Sequence, residues 1–427
     1  MKKHTLVVFI SLLLVSSCSV SKHAAQNAAV VSGNPGFLFI SDIHLDLSSD
    51  STKDGDDTGT LLWKIFLTKV DSLLSGNNAP RFAIYTGDLP AHDTTKGPLP
   101  PDKKKKHDRD IAAALTGLRD LVTKHHTPFF YVPGNNDALT GNYFSFADEN
   151  NNTVFSLIDE SANPYPALNI NRDGNIAPCM VSNTHPAMGY YSARPADSLR
   201  IIALNTVIFT KGFQTADGTT QLKDGNDQLD WLEAELKDAA IKGDKVYIAM
   251  HVPPGIDAYR FYKKKKNYYM WDDSFEDIQG PWLNRFLNDV DKNRNIIAGI
   301  LFGHTHMDEI RRLYDSTGKN ITAVAVSAPA ISANHNNNPG FKIVQYDRQS
   351  KDLLDFTTYY TNPAAAVWGN ASYSFNDIFG FSAGNTLYKN VSTASFDHIG
   401  KKMTKIFTVM HDSFEYASYG IEVKFIK

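Results

Sequence analysis

Short apolar runs that break off at an acid, an amide or a histidine recur along this chain, separated by stretches whose apolar residues return every third or fourth position. The first run is Phe37-Leu38-Phe39-Ile40, followed at once by Ser41-Asp42-Ile43-His44. Four consecutive apolar residues bounded by polar ones predict a buried strand. Asp42 and His44 then fall where that strand opens into a loop, the end at which open α/β sheets bind their ligands. Period-two spacing sends both to one side of an extended segment, so a single cation could take an oxygen and a nitrogen from one turn of chain. A lone D-x-H arises often by chance. Its weight rests on what the later strands carry.

Ser48 to Gly59 is polar and rich in Asp, a loop whose acids read as solvated rather than ligating. Leu61 to Leu74 has helical spacing, with Leu62, Ile65, Phe66, Val70 and Leu73 on one side. A second strand, Phe82-Ala83-Ile84-Tyr85, runs into Thr86-Gly87-Asp88, where glycine permits a tight turn and delivers a carboxylate. Pro90 to Arg109 reads as a loop containing the lysine run Lys103 to Lys106, a solvated surface or, as the rival reading, a phosphate-binding one. Ile111 to His125 is helical by pattern, and Phe129-Phe130-Tyr131-Val132 is a third strand ending in Pro133-Gly134-Asn135-Asn136-Asp137.

Ala138 to Met188 is long, Asn-rich and weakly periodic, and reads as an irregular insertion. Gly189 to Ser192 and Arg200 to Asn205 are expected to pair in a second sheet, and Asn226 to Asp238 to form an amphipathic helix. Lys245 to Met250 is a strand ending in His251-Val252-Pro253-Pro254-Gly255. After a second basic run, Lys263 to Lys266 among Tyr262, Tyr268 and Tyr269, comes a helix over Trp282 to Val290. The strand Ile296 to Phe302 closes with Gly303-His304-Thr305-His306. Ile321 to Val326 and Phe341 to Tyr346 complete the strands. This order implies a layered α/β sandwich. Beyond Lys351 the texture becomes mixed and aromatic, read as a largely helical C-terminal subdomain over 351–427 appended to a domain of 36–350.

Composition narrows the class without deciding it. Apolar content of 42% and charged content of 21% are those of an ordinary globular protein. A formal charge of -3 with no strongly basic half argues against nucleic acid as an obligate partner. Residues 1–17 form a leader: Lys2 and Lys3 precede the apolar Leu6 to Val15, and Val15-Ser16-Ser17-Cys18 fits a bacterial lipoprotein processing site. Lipidation at Cys18 would anchor the mature protein to a membrane outside the cytoplasm through a flexible 18–35 tether; plain secretory cleavage with an incidental Cys18 is the alternative. If Cys18 is acylated, Cys179 has no partner, because the chain holds only these two cysteines.

Five strands in succession end in metal-ligand residue types: Asp42 with His44, Asp88, Asn135, His251, and His304 with His306. Strand-end Asp and Asn often cap helices and single histidines often sit satisfied in cores, but the recurrence lifts the set above chance. D-x-H, G-D, G-N-x-D, a strand-end His and G-H-x-H in this order resemble the calcineurin-like metallophosphoesterases. The resemblance implies a four-layer α/β/β/α sandwich holding two divalent ions. It places Asp42, His44 and His306 on one ion, Asn135, His251 and His304 on the other, and Asp88 between them. Mixed N and O ligation without thiolates suits zinc, with manganese or iron open. Paired ions roughly 3.5–4 Å apart clamp a phosphoryl group and activate a bridging hydroxide, so no Ser or Cys nucleophile is needed.

A leaving alkoxide still needs a proton. Where most of that superfamily carries G-N-H, this chain has Asn136, which is able to donate a hydrogen bond to a phosphoryl oxygen but is no acid. Gly87-Asp88-Leu89-Pro90-Ala91-His92 offers His92 instead, a pattern that resembles the acid sphingomyelinase-like branch and implies His92 as acid or phosphate ligand. His251-Val252-Pro253-Pro254-Gly255, Ser327 to Ser332, Asn338-Pro339-Gly340-Phe341 and Thr357 to Tyr360 extend that resemblance. It implies a phosphoester substrate, with a phosphodiester of the sphingomyelinase or nucleotide/pyrophosphate type foremost and a phosphomonoester or polyphosphate as alternative. A surface lipoprotein that binds phosphorylated ligands without turnover is the alternative of another class. His185, His335 and the tyrosines around the second lysine run are further candidates for the pocket wall.

Overall fold

The structure is a computed structural model that describes residues 33–158, 179–215, 220–264, 268–272, 274, 280–410 and 421–426. The expected leader, Cys18 and Lys265 with Lys266 lie outside the described residues. In chain order the elements begin β1 (Gly36–Ile40), α1 (Thr60–Leu74), β2 (Ala83–Tyr85), α2 (Pro101–Lys124), β3 (Phe129–Tyr131), β4 (Met180–His185), β5 (Tyr190–Ala196) and β6 (Leu199–Leu204). They continue α3 (Gln221–Lys242), β7 (Lys245–Met250), α4 (Ala258–Lys264), α5 (Trp282–Lys292), β8 (Ile297–Phe302), β9 (Ile310–Tyr314), β10 (Ile321–Ser327) and β11 (Gly340–Tyr346). The last are β12 (Leu353–Tyr360), β13 (Ser372–Ser374), α6 (Phe375–Phe379), α7 (Leu387–Thr393), α8 (Phe396–Ile406) and β14 (Glu422–Val423).

Two sheets result, one ordered β13-β12-β11-β1-β2-β3 and the other β14-β9-β10-β8-β7-β6-β5-β4. Within the first, β1, β2 and β3 run parallel; within the second, β6, β7, β8 and β10 do. Alternation along single strands explains the layering. Phe37 and Phe39 of β1 enter the core between the sheets, whereas Leu38 and Ile40 pack with Leu62 and Phe66 of α1 and Leu118 of α2. Likewise Tyr247 and Ala249 of β7 face the inter-sheet core, and Val246 and Ile248 pack on Leu232 of α3 and Phe286 of α5. Central strands apolar on both faces need cover on both sides, which helices and the opposite sheet supply. The four-layer α/β/β/α sandwich is thus observed.

Two segments differ from expectation. α2 starts at Pro101, ten residues before the predicted helix, with Pro at its first turn and Asp102 beside it. Its first turns carry no apolar stripe; Lys104 pairs with Asp108 at 2.9 Å and Lys106 with Asp110 and Asp46, both at 2.9 Å. Polar i,i+4 pairing makes a helix that hydrophobic periodicity does not report. Beyond Lys351 the chain is not simply helical: β12 and β13 widen the first sheet, and β14 pairs parallel with β9 in the second. Phe375, Val391 and Met403 of the intervening helices join the inter-sheet core.

Candidate metal centre

The parallel strands point their carboxyl ends to one edge of the sandwich, and the ligand residues lie there: Asp42 and His44 after β1, Asp88 after β2, Asn135 after β3, His251 after β7, His304 and His306 after β8. Backbone conformation is unusual at these points. Asp42, His44, Asp88, His304 and His306 have φ of 50, 46, 68, 69 and 65°. Left-handed backbone costs a non-glycine residue on the order of 1–3 kcal/mol and concentrates where surrounding structure and function over-determine it. Close approach does the over-determining: a Cβ on Gly134 would lie 2.2 Å from Asp88 Oδ1, and one on Gly303 would lie 1.9 Å from Ser41 Oγ.

The side chains converge around Asp88. His44 Nε2 lies 3.4 Å and His251 Nε2 3.3 Å from Asp88 Oδ2, so one carboxylate oxygen sits between two imidazoles. On one side His44 Nε2 is 3.1 Å from His306 Nε2, and Asp42 Oδ1 is 3.5 Å from His306 and 3.8 Å from His44. On the other, Asn135 Oδ1 is 3.0 Å from His251 Nε2, and His304 joins Asp88 and His251 with ligand atoms all within 4.8 Å. Ligands about 2.1 Å from one ion lie about 3.0–3.4 Å from each other in tetrahedral or octahedral arrangements, so these spacings suit two ions sharing Asp88. His44 Nδ1 donates to Pro90 O at 3.0 Å, so the neutral ring presents Nε2 as an acceptor toward the centre of the cluster. His306 Nδ1 is buried and has no hydrogen-bond partner among the described residues.

Outer contacts orient these donors. His251 Nδ1 donates to Thr86 O, which aims Nε2 inward. Asn135 Nδ2 donates to Asn142 Oδ1 at 2.9 Å, which turns its oxygen toward His251. Asp42 accepts from Ser41 Oγ and from the His304 N–H. Asp137, the last residue of G-N-N-D, accepts from the N–H groups of Asp88, Leu89 and Gly134 and from Tyr131 OH, locking the β2 and β3 loops together.

Protonation equilibria show how strongly the carboxylates act. Burial presses His44 and His251 toward the neutral form, yet Asp42 and Asp88 at His44, and Asp88 at His251, outweigh it and raise both to about 9. Asp88 is itself held far below the usual carboxylate range: burial opposes ionisation, but the charges of His251 and His44 overcome it. His304 is lowered to about 3 by burial and then by the neighbouring His251. A cluster that draws protons onto buried imidazoles is a cluster that draws divalent cations.

The sequence matches the calcineurin-like phosphoesterase family over residues 36–308. The chain belongs to that family. Acid sphingomyelinase-like phosphodiesterase 3b of Homo sapiens is 28% identical over 375 residues, covering 78% of this phosphoesterase and 72% of the relative. Cyclic GMP-AMP phosphodiesterase SMPDL3A of Homo sapiens is 26% identical over 358 residues, covering 76% and 70%. Sphingomyelin phosphodiesterase of Homo sapiens is 30% identical over 311 residues, or 69% of this chain and 42% of that protein. Among solved structures, a dimetal phosphatase from Danio rerio aligns with a TM-score of 0.45 at 12% identity, over 80% of this chain and 98% of that one. The phosphoesterase is a metal-dependent phosphoric ester hydrolase by family, and its Asp and His cluster supplies the donors for two divalent ions.

The remaining candidates divide. His92 stands in the wall of the cavity above the cluster, its ring stacked on His44 at 3.8 Å and 5.4 Å from the His306 ring. Its Nδ1 donates to Asp57 Oδ1 at 2.8 Å, and its backbone N–H donates to Asp57 Oδ2 at 2.8 Å. Asp57, read from sequence as one of several solvated loop acids, is mostly buried and held down at about 2: burial opposes its ionisation, and the His92 hydrogen bond with the His44 charge prevails. No local signal marks it, since its partner lies 35 residues away. Asn136 holds the shared carboxylate: its backbone N–H and Nδ2 both donate to Asp88, each at 2.8 Å. His335 stacks on His306 at 4.3 Å and lines the cavity, whereas His185 stacks on Tyr190 away from it. Lys103, Lys104 and Lys106 are taken up by acids of their own neighbourhood, and His107 behind them donates to Asn136 O at 2.9 Å. Cys179 is fully buried.

Proposed function

We propose that this phosphoesterase cleaves phosphodiester or phosphoanhydride bonds with two bound zinc ions, in preference to phosphomonoesters, and that His92 protonates the leaving group. The observation that carries the reading is the single carboxylate, Asp88, set between His44 and His251 at 3.4 and 3.3 Å at the meeting point of both sheets. Bound there, two divalent ions supply Lewis-acid polarisation of the phosphoryl group and an activated water.

The chain's own residues do the rest. Asn136 and Asp137 hold Asp88 and its loop in place, so the carboxylate does not reorganise as charge develops. Asp57 anchors His92 through Nδ1 and leaves Nε2 as the atom able to pass a proton into the cavity. Burial on the His44 side excludes water from the acid's inner face. The named relatives act on diesters, sphingomyelin and cyclic GMP-AMP by their titles, which supports the diester reading.

An extracytoplasmic, lipid-anchored location follows from the Lys2 to Cys18 leader pattern. Among the described residues no helix is long and apolar enough to cross a membrane. The chain holds two cysteines, Cys18 and Cys179, and intact mass of the purified protein tests whether Cys18 is acylated.

The functional test is the initial rate of metal-restored protein on bis-p-nitrophenyl phosphate and on p-nitrophenyl phosphate. Faster diester cleavage is expected; a monoester preference overturns the diester reading, and metal-independent rates overturn the metal centre.

A further inference from the structure

We propose that Arg311 is a positioning residue for the metal centre, a buried tie that fixes the loop bearing His251 against the loop bearing His304 and so tightens the ion that these two histidines would share. This rests on the two-ion reading above and names a residue that acts on the centre from outside its donor set.

Arg311 lies on β9, fully buried, and its donors reach in two directions. Nη1 donates to Pro254 O at 2.7 Å, while Nε and Nη2 donate to Glu309 Oε2 at 3.1 and 2.8 Å. The guanidinium centre stands 5.1 Å from the ring centre of Phe302, the last residue of β8 before Gly303 and His304. None of these contacts is with a candidate ligand. Pro254 follows His251 through Val252 and Pro253, and the two proline rings fix φ, so holding the Pro254 carbonyl holds the backbone that aims His251. On the other arm the Glu309 N–H donates to Ser327 Oγ at 2.7 Å, and that hydroxyl donates to Met307 O, beside His306, at 2.6 Å.

The two ligand loops are also joined directly, by the Gly303 N–H donating to His251 O at 3.0 Å. One such bond leaves a pivot, and the second attachment at Pro254 removes it. The need is local: His304 and His306 hold φ of 69 and 65°, a backbone conformation that persists only where the surroundings over-determine it. Fold stability is the weaker reason for the pair. Burial pushes the Glu309 carboxyl up and the Arg311 charge offsets this only in part, and a buried ion pair is often no more stabilising than apolar residues of the same volume.

The test is zinc binding to the chelator-treated full chain, by competition with a chromogenic chelator, beside urea unfolding of the same metal-free protein. Glu309→Met/Arg311→Met removes both charges and strands neither, so its metal-free stability should equal or exceed the parent's. Added to His44→Ala, which spares the ion of His251 and His304, the double change should weaken zinc by about 10-fold or more. Added to His304→Ala, which spares the other ion, it should shift zinc affinity less than about threefold. Arg311→Lys keeps a cation beside Glu309 but lacks the planar fork that reaches Pro254 O at the same time, and should show the same selective loss without depending on how the double variant folds. Unchanged zinc affinity in both backgrounds, or equal weakening in both, overturns the tie and leaves the two-ion reading standing. Fewer than two zinc equivalents on the parent protein would refute the two-ion reading itself.

Discussion

Replacing Asp88 with asparagine keeps the shape of the side chain and removes its charge, so it isolates what the shared carboxylate does. In the parent protein Oδ1 accepts the Asn136 N–H and Oδ2 accepts Asn136 Nδ2, both at 2.8 Å, while Oδ2 also faces His44 and His251. An amide has one acceptor oxygen, so in either orientation an NH₂ group faces a buried donor, at a cost of about 1–3 kcal/mol. The larger effect is electrostatic. Losing one preorganised charged group from an active site typically costs about a thousandfold in rate, near 4 kcal/mol at the transition state. Asp88→Asn should therefore lose at least that factor in kcat/KM on bis-p-nitrophenyl phosphate and bind fewer than two metal equivalents by elemental analysis. Two equivalents retained, with a rate within tenfold of the parent, would refute the bridging role.

The pH dependence of the metal-free protein follows from the same carboxylate. His44 and His251 are raised from 6.5 to about 9, so their protonated forms stabilise the fold fully below pH 6.5 and that contribution, a few kcal/mol together, is lost as pH rises toward 9. Thermal melts of chelator-treated protein should fall across that window, and metal-loaded protein should not follow. Gly134→Ala drives a methyl into Asp88 Oδ1 and the Asp88 backbone, and should destabilise by about 3 kcal/mol in urea titrations while weakening metal retention. His92→Ala should slow esters with poor leaving groups far more than nitrophenyl esters, and Asp57→Asn should reproduce about 10- to 100-fold of that loss through misorientation alone; equal losses on both ester types would remove His92 from the acid role. Lys342→Ala strands Asp308, whose other side-chain partners among the described residues are the Thr358 and Tyr373 hydroxyls, and should cost about 3–5 kcal/mol by denaturant unfolding with little change in KM.

Much of the centre was legible because its grammar is local. A strand that is apolar on both faces announces itself in four or five residues, and the residue at which the apolar run stops is the residue that meets solvent at the sheet's edge. Asp42, His44, Asp88, Asn135, His251, His304 and His306 are all of this kind, and the structure brings all seven to one edge. α2 was misread for the converse reason: its first turns are held by lysine–aspartate pairs, which leave no apolar period to detect. β12 is only half-buried, and the edge strands β13 and β14 are too short to show a period.

The sequence by itself therefore determined the layered fold, the strand-end residues that converge on one edge and the class of chemistry, because these depend on periods of two and of about 3.6 residues and on which residue ends each strand. Only the tertiary structure decided that Asp57 belongs to His92 and that Asn136 donates twice to Asp88. Those assignments join loops separated by tens of residues, and no local pattern encodes which loop ends the packing of two sheets will bring within hydrogen-bonding distance.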